Sequence, residues 1–202
     1  MFVKICGVRT LDDALWAVGS GADAVGFNFW PQSRRHIPVA RASVIAKRLP
    51  PNVRTVGVFV NPSEEEVDRA LASGAIDLAQ LHGDETPDFC RRFAGRYIKA
   101  LRLVDESSLT QLADYSSDLV LVDADSPGYG GSGQRADVEL ARRAAERRRV
   151  LLAGGLTPEN VAEAIRAVKP YGVDVAGGVE SAPGVKDREK VTAFIAAAKG
   201  VK

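Results

Sequence analysis

Cysteine and histidine are scarce in this chain. Its 202 residues contain two of each: Cys6 and Cys90, His36 and His82. Two cysteines make no disulfide framework, and no His/Cys spacing fits a structural zinc, so neither metal nor cofactor is expected. Net charge is nearly absent as well, with 27 Lys+Arg against 26 Asp+Glu. That balance leaves no electrostatic footprint for nucleic acid or an anionic membrane surface. The one local basic run, Arg142, Arg143, Arg147, Arg148 and Arg149, is interleaved with Ala and Glu and reads as the solvated face and C-terminal end of a helix. No apolar stretch approaches membrane-spanning length. No basic segment followed by an apolar one marks a secretory leader, and the expected compartment is the cytoplasm, where thiols stay reduced. There is also no G-x-G-x-x-G after the first apolar run, which argues against a dinucleotide-binding sheet.

What the chain does have is regularity. With 46% hydrophobic residues it can fill one sizeable core, so residues 1–202 are expected to form a single domain. Short β-rich runs alternate with helix-like segments: VKIC (3–6), AVGFNF (24–29), RTVGVFV (54–60), LAQLH (78–82), YIKAL (97–101), LVLVD (119–123), VLLAG (150–154) and VDVAG (173–177). Most are apolar without strict alternation, as parallel strands covered by helices are. Helix starts are marked at Thr10, Pro38, Asn61-Pro62-Ser63, Thr86-Pro87, Asp105, Asp137, Thr157-Pro158 and Asp187. Eight strand–helix units in series predict an α/β fold with right-handed crossovers. A closed (β/α)8 TIM barrel accommodates them better than an eight-stranded open sheet.

In such a barrel the chemistry lies where strands end in loops at the C-terminal face. The seventh and eighth strands run into Gly154-Gly155 and Gly177-Gly178, placed where barrels commonly hold phosphate on backbone N–H groups. The expected partner is therefore a small phosphorylated molecule. GYGGSG (128–133) is a third Gly-rich loop, suited to closing over a ligand. After the second strand, Arg34 and Arg35 could grasp a carboxylate or form an exposed basic turn. His82 could act as acid/base, but no neighbour in the chain looks like an orienting partner, so a lining role is preferred. Asp123 ends LVLV at the barrel mouth, where partial desolvation suits a general acid; a loop-capping role stays open, and Asp125 competes for the same part. Cys6 holds the matching place on the first strand, either as a proton-abstracting thiol or as a small buried hydrophobe. Cys90, between Phe89 and Phe93, reads as packing. Lys99, within the fifth run, could point into the barrel, as a Schiff-base aldolase would require.

Taken together, KICG, GADAVGFNFWPQSRR, VGVFVN, QLHGDE, LVD followed by GGSG, LLAGGLTPENV and GVDVAGGVESAPGVKD resemble the phosphoribosylanthranilate isomerases of tryptophan biosynthesis, in order and over essentially the whole chain. The resemblance implies an Amadori rearrangement of an aminoaldose to an aminoketose. It implies Cys6 as general base and Asp123 as general acid. It also implies Arg35 on the anthranilate carboxylate, Asp174 near the sugar hydroxyls, and the two glycine pairs on the phosphate. Where the family often has a serine pair, this chain has Ala176-Gly177, leaving only backbone donors there. The related histidine-pathway isomerase carries an aspartate where Cys6 stands and a second phosphate loop in its first half, which this sequence lacks. Family members occur as monomers and homodimers, and both states stay open.

Overall fold

The computed structural model describes residues 1–123 and 138–201. The eight β-rich runs become β1 (Phe2–Cys6), β2 (Ala24–Asn28), β3 (Arg54–Phe59), β4 (Leu78–Leu81), β5 (Tyr97–Arg102), β6 (Leu119–Asp123), β7 (Arg149–Leu152) and β8 (Gly172–Val175). Each pairs in parallel with the next, and β8 closes on β1 through partners such as Lys4 and Asp174. The (β/α)8 barrel expected from the sequence is the fold. β2, β3 and β4 stop one residue short of the predicted runs and β7 and β8 two, yet at β4 and β7 the ladder reaches further: His82 N donates to Phe59 O (2.8 Å) and Ala153 N to Val122 O (2.8 Å).

The outer layer is α1 (Leu11–Gly19), α2 (Val39–Ala46), α3 (Glu64–Ala72), α4 (Pro87–Arg91), α5 (Glu106–Gln111), α6 (Val138–Arg147), α7 (Val161–Val168) and α8 (Arg188–Lys199). Their starts follow the capping residues. The Thr10 hydroxyl accepts from Asp13 N, Ser63 and Glu66 form a reciprocal capping box, and Asp187 caps α8. One start is displaced. Thr157-Pro158 opens a turn instead, and α7 begins at Val161. The Asn160 side chain accepts from Thr157 N (2.9 Å) and donates to Gly155 O (2.9 Å), so local side-chain bonding replaces the first helical turn. The start marked at Asp137 lies outside the described residues.

Arg142, Arg143 and Arg147 of the basic run lie on α6 as read, whereas Arg149 opens β7 with its guanidinium over the Tyr171 ring. Arg142 pairs with Glu139 and Glu146, and Arg143 with Glu106, all near the surface. Arg148 instead turns inward to the carbonyls of Leu112 and Tyr115. No helix among the described residues is long and apolar enough to cross a membrane.

Strand alternation divides the core in two. One face of each strand packs under the helices in a large apolar layer. The other face fills the barrel with Ala24, Val56, Ile98, Ala100, Leu121, Leu151 and Ala153. Because Ile98 and Ala100 point in, Lys99 points out. Its ammonium is buried beneath the helix layer and held by Glu85 Oε2 (2.7 Å) and the carbonyls of Gly83 (2.6 Å) and Leu81 (3.3 Å). The expectation that Lys99 could enter the barrel is corrected, and with it goes the Schiff-base reading. Leu151 is fully buried in the inner layer. Replacing it with alanine should cost about 3 kcal/mol of unfolding free energy, measured as a lower urea midpoint with an unchanged slope.

Candidate active site

The inward positions at the C-terminal end of the barrel are mostly polar. Lys4 and Cys6 alternate on β1, Gln80 lies on β4 with His82 directly after it, Asp123 ends β6, and Asp174 lies on β8. All six are buried or nearly so. Among the described residues, every buried side-chain nitrogen and oxygen has a hydrogen-bond partner.

Lys4 is the hub. Fully buried, it donates to Asp174 Oδ1 (2.8 Å) on the adjacent strand and to Gln80 Oε1 (2.9 Å) across the barrel. Burial alone would push the ammonium toward the neutral amine; Asp174 and Cys6 outweigh it and the pKa stands above the usual lysine value. Burial raises the Cys6 thiol above its ordinary range, Lys4 pulls it down, Asp174 pushes it up and Lys186 pulls it down. Room for this pair comes from Gly26, where a Cβ would stand 2.9 Å from the Cys6 sulfur and 3.2 Å from Lys4 Cε.

His82 has the orienting partners that its chain neighbours did not show. Its Nδ1 lies 2.8 Å from Gln80 Nε2, and its Nε2 lies 3.4 Å from Asp123 Oδ2. Gln80 is two residues away on the same strand, so a period-of-two reading would have found it.

A cavity of about 390 Å³ opens between the ends of β7 and β8. It is lined by Gly154, Gly155, Gly177 and Gly178, with Asp123 and Asp174 on its wall. The structure thus brings both glycine pairs and two of the sequence-marked acids to one site. Gly177 and Gly178 lie in a short 3₁₀ turn after β8. A Cβ at Gly178 would stand 1.9 Å from Leu156 O, so the β8 turn is seated directly on the β7 loop.

Arg35 arrives from the β2 loop, which folds back so that His36 bridges to Asn28. Its side chain crosses Gly7, whose positive φ of 77° and missing Cβ leave the space; a Cβ there would meet Arg35 Cδ at 2.4 Å. The guanidinium forms a fork with Glu180, Nε to Oε1 at 2.7 Å and Nη2 to Oε2 at 2.8 Å. Lys186 Nζ adds a contact to Glu180 Oε1 (3.1 Å) and one to Ala176 O (2.9 Å). Burial raises the Glu180 carboxyl, Arg35 and Lys186 lower it, and the balance is below the usual range. Arg35 also borders Gly177, whose Cβ would lie 3.3 Å from Nη2. Glu180 thus holds the arginine close to the Gly177 turn.

Glu180 and Lys186 belong to a small antiparallel hairpin after β8, β9 (Glu180–Ala182) and β10 (Val185–Lys186), which the sequence reading did not separate from the last loop. Lys4, Gln80, Glu180 and Lys186 are the site residues it missed. The signal was present for the first two: a charged or amide side chain inside an apolar strand, two positions before the residue at its end. Cys90 is buried on α4 against the core, and burial pushes its thiol up to about 11. Asp125 and the GYGGSG loop lie outside the described residues.

A closed parallel barrel whose mouth gathers a thiol, two carboxyls and two glycine loops defines a (β/α)8 enzyme of the proton-transfer kind. The sequence profile described as N-(5'phosphoribosyl)anthranilate (PRA) isomerase matches residues 3–197. An N-(5'-phosphoribosyl)anthranilate isomerase of Trichlorobacter lovleyi is 52% identical over 199 residues, 98% of this chain and 97% of that protein. The phosphoribosyl anthranilate isomerase of Thermotoga maritima superposes with a TM-score of 0.92 at 44% identity, covering 99% of each chain. A phosphoribosyl anthranilate isomerase crystallised with reduced 1-(o-carboxyphenylamino)-1-deoxyribulose 5-phosphate gives 0.88 at 41% identity, again covering 99% of each. The chain belongs to the phosphoribosylanthranilate isomerase family.

Two measurements check the site. Alkylation of Cys6 by iodoacetamide should still accelerate at about pH 9, above the free-cysteine pKa of about 8.5; a plateau below about pH 8 would contradict the raised thiol. Gly178→Ala should weaken phosphate-ester binding at least tenfold, read by calorimetry, because the new methyl group collides with the Leu156 carbonyl.

Proposed function

We propose that this chain converts N-(5'-phosphoribosyl)anthranilate to 1-(2-carboxyphenylamino)-1-deoxyribulose 5-phosphate, the aminoaldose-to-aminoketose step of tryptophan biosynthesis, and that residues 1–202 form one catalytic unit. The observation that carries the reading is the cavity at the β7 and β8 loops, where glycine backbones for a phosphate meet Asp123 and Asp174. The family relationship supplies the substrate.

The chemistry follows from these groups. The 5'-phosphate takes the backbone donors of Gly154, Gly155, Gly177 and Gly178. The anthranilate carboxylate takes N–H groups of Arg35 that the Glu180 fork leaves over, since a guanidinium carries five. Asp174 faces the sugar hydroxyls, and His82 lines the mouth beside Asp123. Asp123 then gives its proton to the ribose ring oxygen. The C1'–oxygen bond breaks, the anilino nitrogen lone pair forms the C=N bond, and an open-chain iminium results. The Cys6 thiolate removes the C2' proton; those electrons form the C1'=C2' bond and neutralise the nitrogen. The enolamine gains a proton at C1' and loses the hydroxyl proton at C2', giving the ketone. Holding C2' between acid and base supplies about 7–11 kcal/mol of the barrier through positioning.

Glu180 prepares this arrangement. It keeps the guanidinium flat beside the cavity, so that a substrate carboxylate meets an oriented fork instead of a free side chain.

Cys6→Ala and Asp123→Asn should each lower kcat by about 10²–10⁴-fold, followed by the disappearance of anthranilate-ester fluorescence. Near-normal turnover in either variant would remove that residue from its role. Running the assay beside the doubly phosphorylated aminoaldose of the histidine pathway tests the substrate assignment, for which no turnover is expected.

A further inference from the structure

Lys4, Gln80, His82 and Asp123 form a directional chain. Nζ of Lys4 lies 2.9 Å from Gln80 Oε1, Gln80 Nε2 lies 2.8 Å from His82 Nδ1, and His82 Nε2 lies 3.4 Å from Asp123 Oδ2. The same ammonium bonds to Asp174, shares the inner face of β1 with Cys6, and lowers the pKa of the Cys6 thiol through its charge. One buried cation therefore acts on the base through its charge and reaches the acid through two side chains.

The direction follows from donor counting. An ammonium has donors and no acceptor, so Gln80 must turn its oxygen toward Lys4. Its NH₂ group then faces His82, and the ring nitrogen it meets must be a bare acceptor. That leaves the ring proton on Nε2, the atom facing Asp123. A doubly protonated ring would set Nδ1–H against the amide NH₂, donor against donor. We propose that Lys4 is a positioning residue that couples the base to the acid: it fixes the amide of Gln80, and through it holds His82 as the neutral Nε2–H tautomer that donates to Asp123.

The consequence for the reaction rests on the acid/base roles proposed above; the tautomer does not. A ring locked this way turns its Nε2–H toward Asp123 and presents a bare Nδ1 to the Gln80 amide. Asp123, not the neutral ring of His82, is thereby left as the proton donor. The charged groups around the thiol are Lys4 and Asp174 on β1 and β8, Lys186 on β10 and Arg35 from the β2 loop. Around the ring they are Asp123, with Asp84, Lys99, Arg102 and Asp105 lining the same cleft.

The test needs no substrate for its first arm. With two histidines in the chain, a His36→Asn background leaves one ring, and ¹⁵N–¹H correlation spectra report its protonation directly. At neutral pH the expected signal is an unprotonated Nδ1 and a protonated Nε2. An Nδ1–H tautomer, or an imidazolium at neutral pH, overturns the proposal. Gln80→Glu presents only acceptors to both neighbours and should bring a proton onto Nδ1; an unchanged spectrum overturns it equally. In a Cys90→Ala background, Lys4→Met should slow Cys6 alkylation at a fixed mildly alkaline pH by about tenfold, the effect of a one-unit rise in thiol pKa. An unchanged rate in folded protein removes the coupling to the base. If Lys4→Met does not fold, Lys4→Arg serves, retaining the donor and the Gln80 orientation, with the Nε2–H signal expected to persist and its loss counting against the proposal. Gln80→Leu should lower kcat with little change in KM and displace the pH profile, because the substrate anchors are untouched. Turnover surviving in Cys6→Ala and Asp123→Asn would sink the catalytic reading alone, leaving the tautomer result standing.

Discussion

An ammonium with no exposed surface, set just above the barrel's inner layer of Ala, Val, Ile and Leu, is the interaction on which the site depends. Desolvating a lysine costs several kcal/mol unless the charge is compensated. Here Asp174 supplies the opposite charge and Gln80 an oriented carbonyl. Removing one partner of such a pair leaves the other buried and unpaired, a loss of about 3–5 kcal/mol. Stability and chemistry are thus tied to one atom. The cation that would be too costly to bury alone also offsets part of the rise that burial imposes on the Cys6 thiol.

A second ionic group, at the rim, works on the same logic with different freedom. Arg35, Glu180 and Lys186 place two cations around one carboxylate. The hairpin carrying Glu180 and Lys186 is short, and α8 begins directly after it. Lys190 on that helix reaches back to the Glu180 carbonyl (3.0 Å). The arginine is consequently fixed from β8's side although it comes from β2's loop, and the mouth of the barrel is closed across the seam where the last strand meets the first.

Much of this was legible in the chain. Alternating apolar runs and capping residues give the barrel, because both signals are local: strands need β-branched stretches and helices need a side chain to satisfy their first amides. Cys6, Asp123, Asp174 and the glycine pairs could be picked out because barrels place function where strands end. Lys4 and Gln80 escaped because they sit inside strands, and only the barrel's closure shows that β1 and β4 face each other across its interior. The partners of His82 escaped for a related reason: one is two residues away, in a strand read as apolar filling, and the other comes from β6. Lys99 shows the converse. Its place in an apolar run raised an inward option, and only the position of Ile98 and Ala100 in the inner layer reveals which face it takes.

The seating of Gly178 on the Leu156 carbonyl bears on how this barrel could be re-engineered. The two loops meet backbone to backbone, with no side chain between them to absorb a change of shape. They are a single mechanical part encoded in two separate stretches of sequence. A loop transplanted from another barrel at either position would have to bring its counterpart with it, and a library that randomises one stretch alone would mostly sample mismatched halves.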